Sequence, residues 1–227
     1  MTLTFGPALD TDDLIDEVEE DYGEQGLMRL VDFAVARYQG VGPTRQAPPE
    51  VRTLQWHLDA NSSAVTVVVR DGLFRLARRL PEGVEEAAQA AVNAGSGSAG
   101  EHLARALHAG RGLTPDPSAA MSEAIKAVEA AAGPVVLPNE KRAPQLGKIV
   151  AALKDKSGWG LRFRQRDGGH PDHRAVLVGM LETLVFAQTD RHTGRAPTVE
   201  EAQSHVLLAS TLVEWFSSGT VVMRLAD

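Results

Sequence analysis

The residues best placed to do chemistry sit in a short break between two helical stretches. Asp190-Arg191-His192-Thr193-Gly194 interrupts the span from Asp172 to Phe216, which otherwise reads as one nearly all-apolar helix followed by an amphipathic one. Arginine is a permanent cation, and histidine is the side chain that changes charge near neutral pH. Side by side at a helix end, Arg191 and His192 could bind an anion or move a proton. The plainer reading is structural: basic residues near a helix C-terminus complement its dipole, and Gly194 is an ordinary terminator.

Other polar residues are weighed in the same way. Glu129 lies with Ser122 and Lys126 opposite the apolar stripe Met121, Ala124, Ile125, Val128 and Ala132. Lys126 and Glu129 are spaced to pair on a helix surface. Glu129 becomes a functional carboxylate if that face meets a partner or the Arg191 break. Arg75 and Arg78 belong to a basic hairpin that could touch a phosphate backbone, though arginines also protect exposed strand edges. Arg164 and Arg166 follow Trp159 and Phe163 in a glycine-rich stretch. That mixture could stack on single-stranded bases, or the two aromatics could anchor an irregular loop. His102 and His108 are six positions apart and share no helix face, and His170 and His173 lack a further ligand motif. No metal site is expected. His205, beside the apolar stripe of the last helix, reads as a satisfied or half-exposed helical histidine.

The positioning elements are mostly helices. Thr11 to Tyr22 is an acidic helix, with Asp12, Asp13, Asp16, Glu17, Glu19, Glu20 and Asp21, and reads as a solvated face. Gly26 to Tyr38 is amphipathic, and a third helix spans about Pro49 to Leu58. The pattern then changes: Ala64 to Val69 is rich in β-branched residues, Asp71-Gly72 follows, and Leu73 to Arg79 continues, which predicts a hairpin over about 64–79. Helices follow over Glu82 to Ala94 and Glu101 to Gly110. Asp116 and Pro117 open another that Gly133-Pro134 is expected to stop near Ala132. Leu146 to Leu153 is a short helix, and Ser157 to Gly169 is expected to be irregular. The helix from Arg174 to His192 has almost no polar face, which predicts burial at the centre of the bundle, with Glu182 needing a partner. Thr198 and Glu201 form a capping box for the last helix. The expected fold is mainly α: a helical N-terminal segment with one β-hairpin over 1–80, and a helical domain over 81–227.

Bulk properties narrow the function classes. The chain has 227 residues, 43% hydrophobic but only 5% aromatic, so its core must be built from Ala, Val and Leu. Formal net charge is -7, opposite in sign to that of a general nucleic-acid binder. Cysteine is absent, which excludes disulfides and thiolate metal sites. No basic stretch followed by an apolar run opens the chain, and no apolar run reaches the ~18 residues of a membrane helix. The expected location is cytoplasmic.

Three stretches, in order, resemble a known family. They are Asp116-Pro117-Ser118 followed by Glu123 to Glu129; Gln145-Leu146-Gly147-Lys148 opening a helix; and Asp190 to Gly194 before a last helix that ends Leu212-Val213-Glu214-Trp215-Phe216. Over roughly Trp56 to Phe216 they resemble the C-terminal domain of abortive-infection-type proteins, a branch of the HEPN helical superfamily. The resemblance implies a HEPN-like helical bundle that commonly dimerises. Active members are metal-independent RNases with an arginine, an adjacent polar residue and a histidine a few positions on. The histidine would take a proton from a ribose 2′-hydroxyl, and the arginine would stabilise charge building on the phosphate. Here Arg191 takes the arginine's place and His192 the adjacent polar place. Thr193 to Thr198 contains no histidine, and His205 lies about two turns too far. The expectation is thus an antiviral-defence protein of the abortive-infection type: a homodimer that binds RNA or another defence protein, with Arg75, Arg78, Arg164 and Arg166 as the RNA contacts. No cofactor, metal or membrane is expected. One alternative is a metal-independent endoribonuclease with Arg191, His192 and Glu129 as catalytic residues. Another is a structural adaptor of a defence complex, docking through the acidic N-terminal helix.

Overall fold

The computed structural model describes residues 11–39, 47–142, 144–163, 171–190 and 196–224. The protein is mainly helical, with an antiparallel hairpin and a second short strand pair. The chain divides into two compact units, Met1–Arg79 and Leu80–Asp227.

The N-terminal unit holds α1 (Thr11–Val35), α2 (Pro49–Ala60), β1 (Val65–Arg70) and β2 (Leu73–Arg78). Helix α1 is two helical runs joined at Gly23, whose φ of 60° and ψ of -160° are not helical and suit a residue without Cβ. The strands pair from Val65 opposite Arg78 to Arg70 opposite Leu73. Only Asp71 and Gly72 remain to make the turn, both at positive φ (51° and 75°). Two left-handed central residues match the twist of the flanking strands, which is why Asp-Gly is such a strong hairpin signal. The hairpin buries Val65, Val67, Phe74, Leu76 and Ala77.

The C-terminal unit contains α3 (Glu82–Ala94), α4 (Ala99–Arg111), α5 (Pro117–Val136), α6 (Leu146–Asp155), β3 (Trp159–Leu161), α7 (His173–Asp190), α8 (Val199–Ser217) and β4 (Val221–Met223). Its central helix is α5, which packs most extensively on α4 and α8. Alanines at 120, 124, 127, 131 and 132 line it, all fully or almost fully buried. Small side chains let helix backbones approach closely, so an alanine-rich helix suits a position with neighbours on two sides.

Three expectations are corrected here. First, Gly133-Pro134 does not end α5, which runs to Val136. Proline removes one backbone donor, but the helix has only two residues left to make, and Val136 is drawn into the core. Gly133 marks a close crossing instead: a Cβ there would lie 2.8 Å from Cδ of Pro144. Second, the stretch from Ser157 is not wholly irregular. Trp159–Leu161 pairs antiparallel with Val221–Met223. Arg224 Nη2 donates to Leu161 O and Phe163 O at 2.8 and 2.9 Å, fastening the pair at its far side. Third, α7 is not central. It packs mainly on α6 and β3, and only lightly on α8 and α5. Leu177, Val178, Leu181 and Leu184 face inward and are buried, while Val176, Thr183 and Phe186 are exposed. A helix at the edge of a bundle has neighbours on one side only, whatever its composition.

The helix starts follow local chemistry. Asp116 accepts from the Ala119 N–H at 2.9 Å, with Pro117 in the first turn. Asp172 accepts from the Arg174 and Ala175 N–H groups, each at 3.0 Å, and opens α7. The Thr198–Glu201 box is complete, with reciprocal bonds of 2.8 and 3.1 Å.

Candidate functional site

The break that carries Arg191 and His192 lies outside the described residues, as do Arg164, Arg166 and His170. The remaining site residues are Glu129, Arg75 and Arg78.

Glu129 caps a helix. Its Oε1 accepts the backbone N–H of Leu146 at 2.8 Å, the first residue of α6. Gln145, at the cap position, makes no side-chain cap bond, so a carboxylate from another helix satisfies one of the free donors there. A negative charge at a helix N-terminus is also favourable. Burial pushes the Glu129 carboxyl up from its usual range, and the bond to Leu146 offsets only part of this. The expected pair with Lys126 does not form. Lys126 Nζ instead donates to Glu123 Oε1 at 2.6 Å, one turn earlier on α5.

Arg75 is tied into the N-terminal unit. Its guanidinium grips both carboxylate oxygens of Asp32 on α1, and Asp32 also accepts the Leu76 N–H at 2.7 Å. Asp32 is buried, and these three donors satisfy it. Arg75 thus joins β2 to α1, with its side chain 41% exposed. Arg79 is likewise engaged, with Asp59 at 2.8 Å and the Ser63 carbonyl at 3.0 Å. Arg78 is exposed at the end of β2, opposite Val65.

The densest charged network among the described residues is one the sequence does not announce. It joins His102 and Arg105 on α4 to Glu123 and Lys126 on α5. Glu123 Oε2 lies 2.8 Å from both His102 Nδ1 and Arg105 Nε. Burial alone would raise the Glu123 carboxyl, but bonds from Lys126, Arg105 and His102 together hold it down at about 2. His102 Nδ1 also lies 2.7 Å from Arg105 Nη2. That nitrogen can donate to Glu123 when it carries a hydrogen, or accept from Arg105 when it carries none, but not both. A 102/105 pair and a 123/126 pair, each three residues apart, were visible; their meeting depends on how α4 and α5 pack. The network fastens the two helices together, and no three-residue metal cluster occurs among the described residues.

His205 is buried, not half-exposed. Its Nε2 lies 3.4 Å from the Leu184 carbonyl of α7, and Nδ1 has no partner among the described residues. Burial lowers its pKa from the usual 6.5, so the folded chain keeps this ring neutral while the unfolded chain takes up a proton more readily. Stability is therefore complete above about pH 6.5 and is lost as pH falls below it. Glu123 adds a separate loss, beginning below 4.5 and running to about 2. Urea unfolding of the C-terminal unit is expected to show a lower midpoint at about pH 5.5 than at about pH 8, with the difference reduced in His205→Leu. An unchanged difference in that variant would remove His205 as its source.

The remaining feature is the outer face of α7. Val176 is 42% exposed and Phe186 71%. Between them lie Gly179 and Thr183, both exposed. The Thr183 hydroxyl donates back to the Gly179 carbonyl at 2.8 Å, so it is already satisfied and its methyl completes an apolar strip. Glu182, at the edge of this face, is neutralised by Lys154 of α6. Elsewhere, Trp56 stands exposed in a shallow groove with Pro49, Arg52 and Thr53.

Compared with protein-family models, with curated proteins and with solved structures, the chain matches none.

Proposed function

We propose that this chain is a HEPN-like helical binding module of the abortive-infection type, cytoplasmic and homodimeric. It acts by protein contact rather than by cutting RNA. The observation that carries this reading is the apolar outer face of α7, since contiguous exposed apolar surface marks interaction sites on soluble proteins. The charged groups lend support from the other side. Glu129 is occupied at the start of α6 and Arg75 by Asp32, so neither is available to substrate without breaking a contact of the fold. Among the described residues no helix is long and apolar enough to cross a membrane.

The test joins light scattering across the micromolar range to an RNA digestion in EDTA. A concentration-dependent dimer and intact RNA are expected. RNA cleaved in EDTA by the wild type and spared by Arg191→Ala would replace this reading with the endoribonuclease. A monomer at every concentration would remove the homodimer.

A further inference from the structure

We propose that His205 is a proton-operated latch between α7 and α8. When its ring takes a second proton, the end of α7 around Leu184 parts from α8, and the rest of the C-terminal unit stays folded. The device lies on the inner side of α7 and is independent of what the outer face binds.

His205 is 5% exposed, on the side of α8 that meets α7. Its surroundings offer one acceptor, the Leu184 carbonyl, 3.4 Å from Nε2. A neutral imidazole has one N–H and one bare nitrogen. The hydrogen therefore sits on Nε2, and Nδ1 is left bare and buried, with no partner among the described residues. A second proton would go to Nδ1, where the new N–H meets no acceptor. Turning the ring over exchanges the nitrogens but adds no acceptor. The carboxylates of the packed elements are engaged elsewhere. Glu85 of α3 is held by Arg111 of α4, Glu123 of α5 by His102, Arg105 and Lys126, and Glu129 by the Leu146 N–H. Glu182 of α7 is held by Lys154, and Glu201 of α8 closes the Thr198 box. Glu82, Glu86, Glu101 and Glu200 are exposed, and Glu214 lies about 13 Å from His205 along α8. Among the described residues, burial and the Leu184 carbonyl alone act on this proton. A buried charge with an unmade hydrogen bond is costly in place, and water relieves both once the seam opens.

The seam is the weak joint of this unit. Helix α8 is held by α3, α4 and α5, whereas α7 packs mainly on α6 and β3. The first part of α7 is fastened to α6 twice through Lys154. Arg174 Nη1 donates to the Lys154 carbonyl at 3.4 Å, and Glu182 pairs with its ammonium. The His205 bond at Leu184 comes after these ties, toward the Asp190 end of the helix. Opening there exposes Leu184 and leaves the packing of α5 in place. His173, at the start of α7, is about 16 Å from Leu184 along the axis. The open state takes the proton at the ordinary histidine value of 6.5 and the closed state only below it, so acid favours opening.

Amide exchange read by mass spectrometry, with intrinsic rates corrected for pH, tests the latch. From about pH 7.5 to about pH 5.5, the amides of Leu181 to Ala187 are expected to lose about tenfold in protection, the ratio set by an open-state pKa of 6.5. The amides of Ala124 to Val128 in α5 are expected to keep theirs. His205→Gln and His205→Leu cannot take the proton, so in both the α7 loss should vanish although His102, His108 and His173 remain. Nitrogen NMR of the wild-type ring gives a second check: the Nε2–H tautomer is expected at about pH 7.5. Equal losses in α7 and α5 would mean that the whole unit unfolds and no latch exists. A loss that persists in either variant would assign it to another group. Unchanged α7 protection in the wild type, or an Nδ1–H tautomer, would also overturn the latch.

Discussion

Leu181→Ala should destabilise the C-terminal unit by about 2–5 kcal/mol, the usual cost of emptying a large buried site. Phe186→Ala, on the same helix, should change monomer stability by no more than about 0.5 kcal/mol. Leu181 is fully buried, and Phe186 is 71% exposed. The two differ in direction, not in chemistry: five residues is about one and a third turns, which carries a side chain to the opposite side. Urea denaturation at low protein concentration, where the chain is monomeric, measures both. Equal losses would mean that α7 is buried all round, as its composition suggests. If the two losses differ as expected, the apolar outer face is surface that folding of one chain does not cover.

Asp32→Ala should cost the N-terminal unit about 2–3 kcal/mol, and Arg75→Ala about 1 kcal/mol. The two residues form one ion pair, yet their removal is not symmetric. Without Arg75, the buried Asp32 carboxylate keeps the Leu76 N–H at 2.7 Å. Without Asp32, that buried donor loses its partner, and the half-exposed Arg75 turns to water. An unmade buried hydrogen bond outweighs a lost ion pair that solvent reaches. Hydrogen exchange at the Leu76 amide separates the cases: fast in Asp32→Ala and slow in Arg75→Ala. An equal cost for the two substitutions would show that the ion pair, not the Leu76 bond, holds β2 to α1. Arg75→Ala is also expected to leave RNA affinity unchanged, because this guanidinium is turned to Asp32.

Several features were legible because their causes are local. The hairpin needs only two residues that accept positive φ between the β-branched run of β1 and the run Leu73–Arg78, and Asp71-Gly72 supplies them. The Thr198–Glu201 box spans four residues and closes on itself. Asp116 with Pro117 and the apolar periodicity of α8 are of the same kind. In each, the interacting groups are close along the chain, so side-chain chemistry and helix geometry suffice.

What lay beyond reach depends on partners distant in sequence. Strands β3 and β4 are three residues each and about sixty residues apart, too short to show a period. Glu129 had a helical neighbour in Lys126 at the right spacing, but its carboxylate instead accepts the Leu146 N–H, seventeen residues on. The His102–Glu123 network needed α4 to lie against α5. The apolar run of α7 is compatible with the centre of a bundle or with its edge, since composition states how much surface can be buried and not which neighbours are present to bury it. The sequence thus determined where helices begin, where the hairpin turns and that the fold is mainly α. Tertiary packing alone decided that α5 is the central helix, that Glu129 meets the start of α6 and Arg75 meets Asp32, and that Phe186 faces outward.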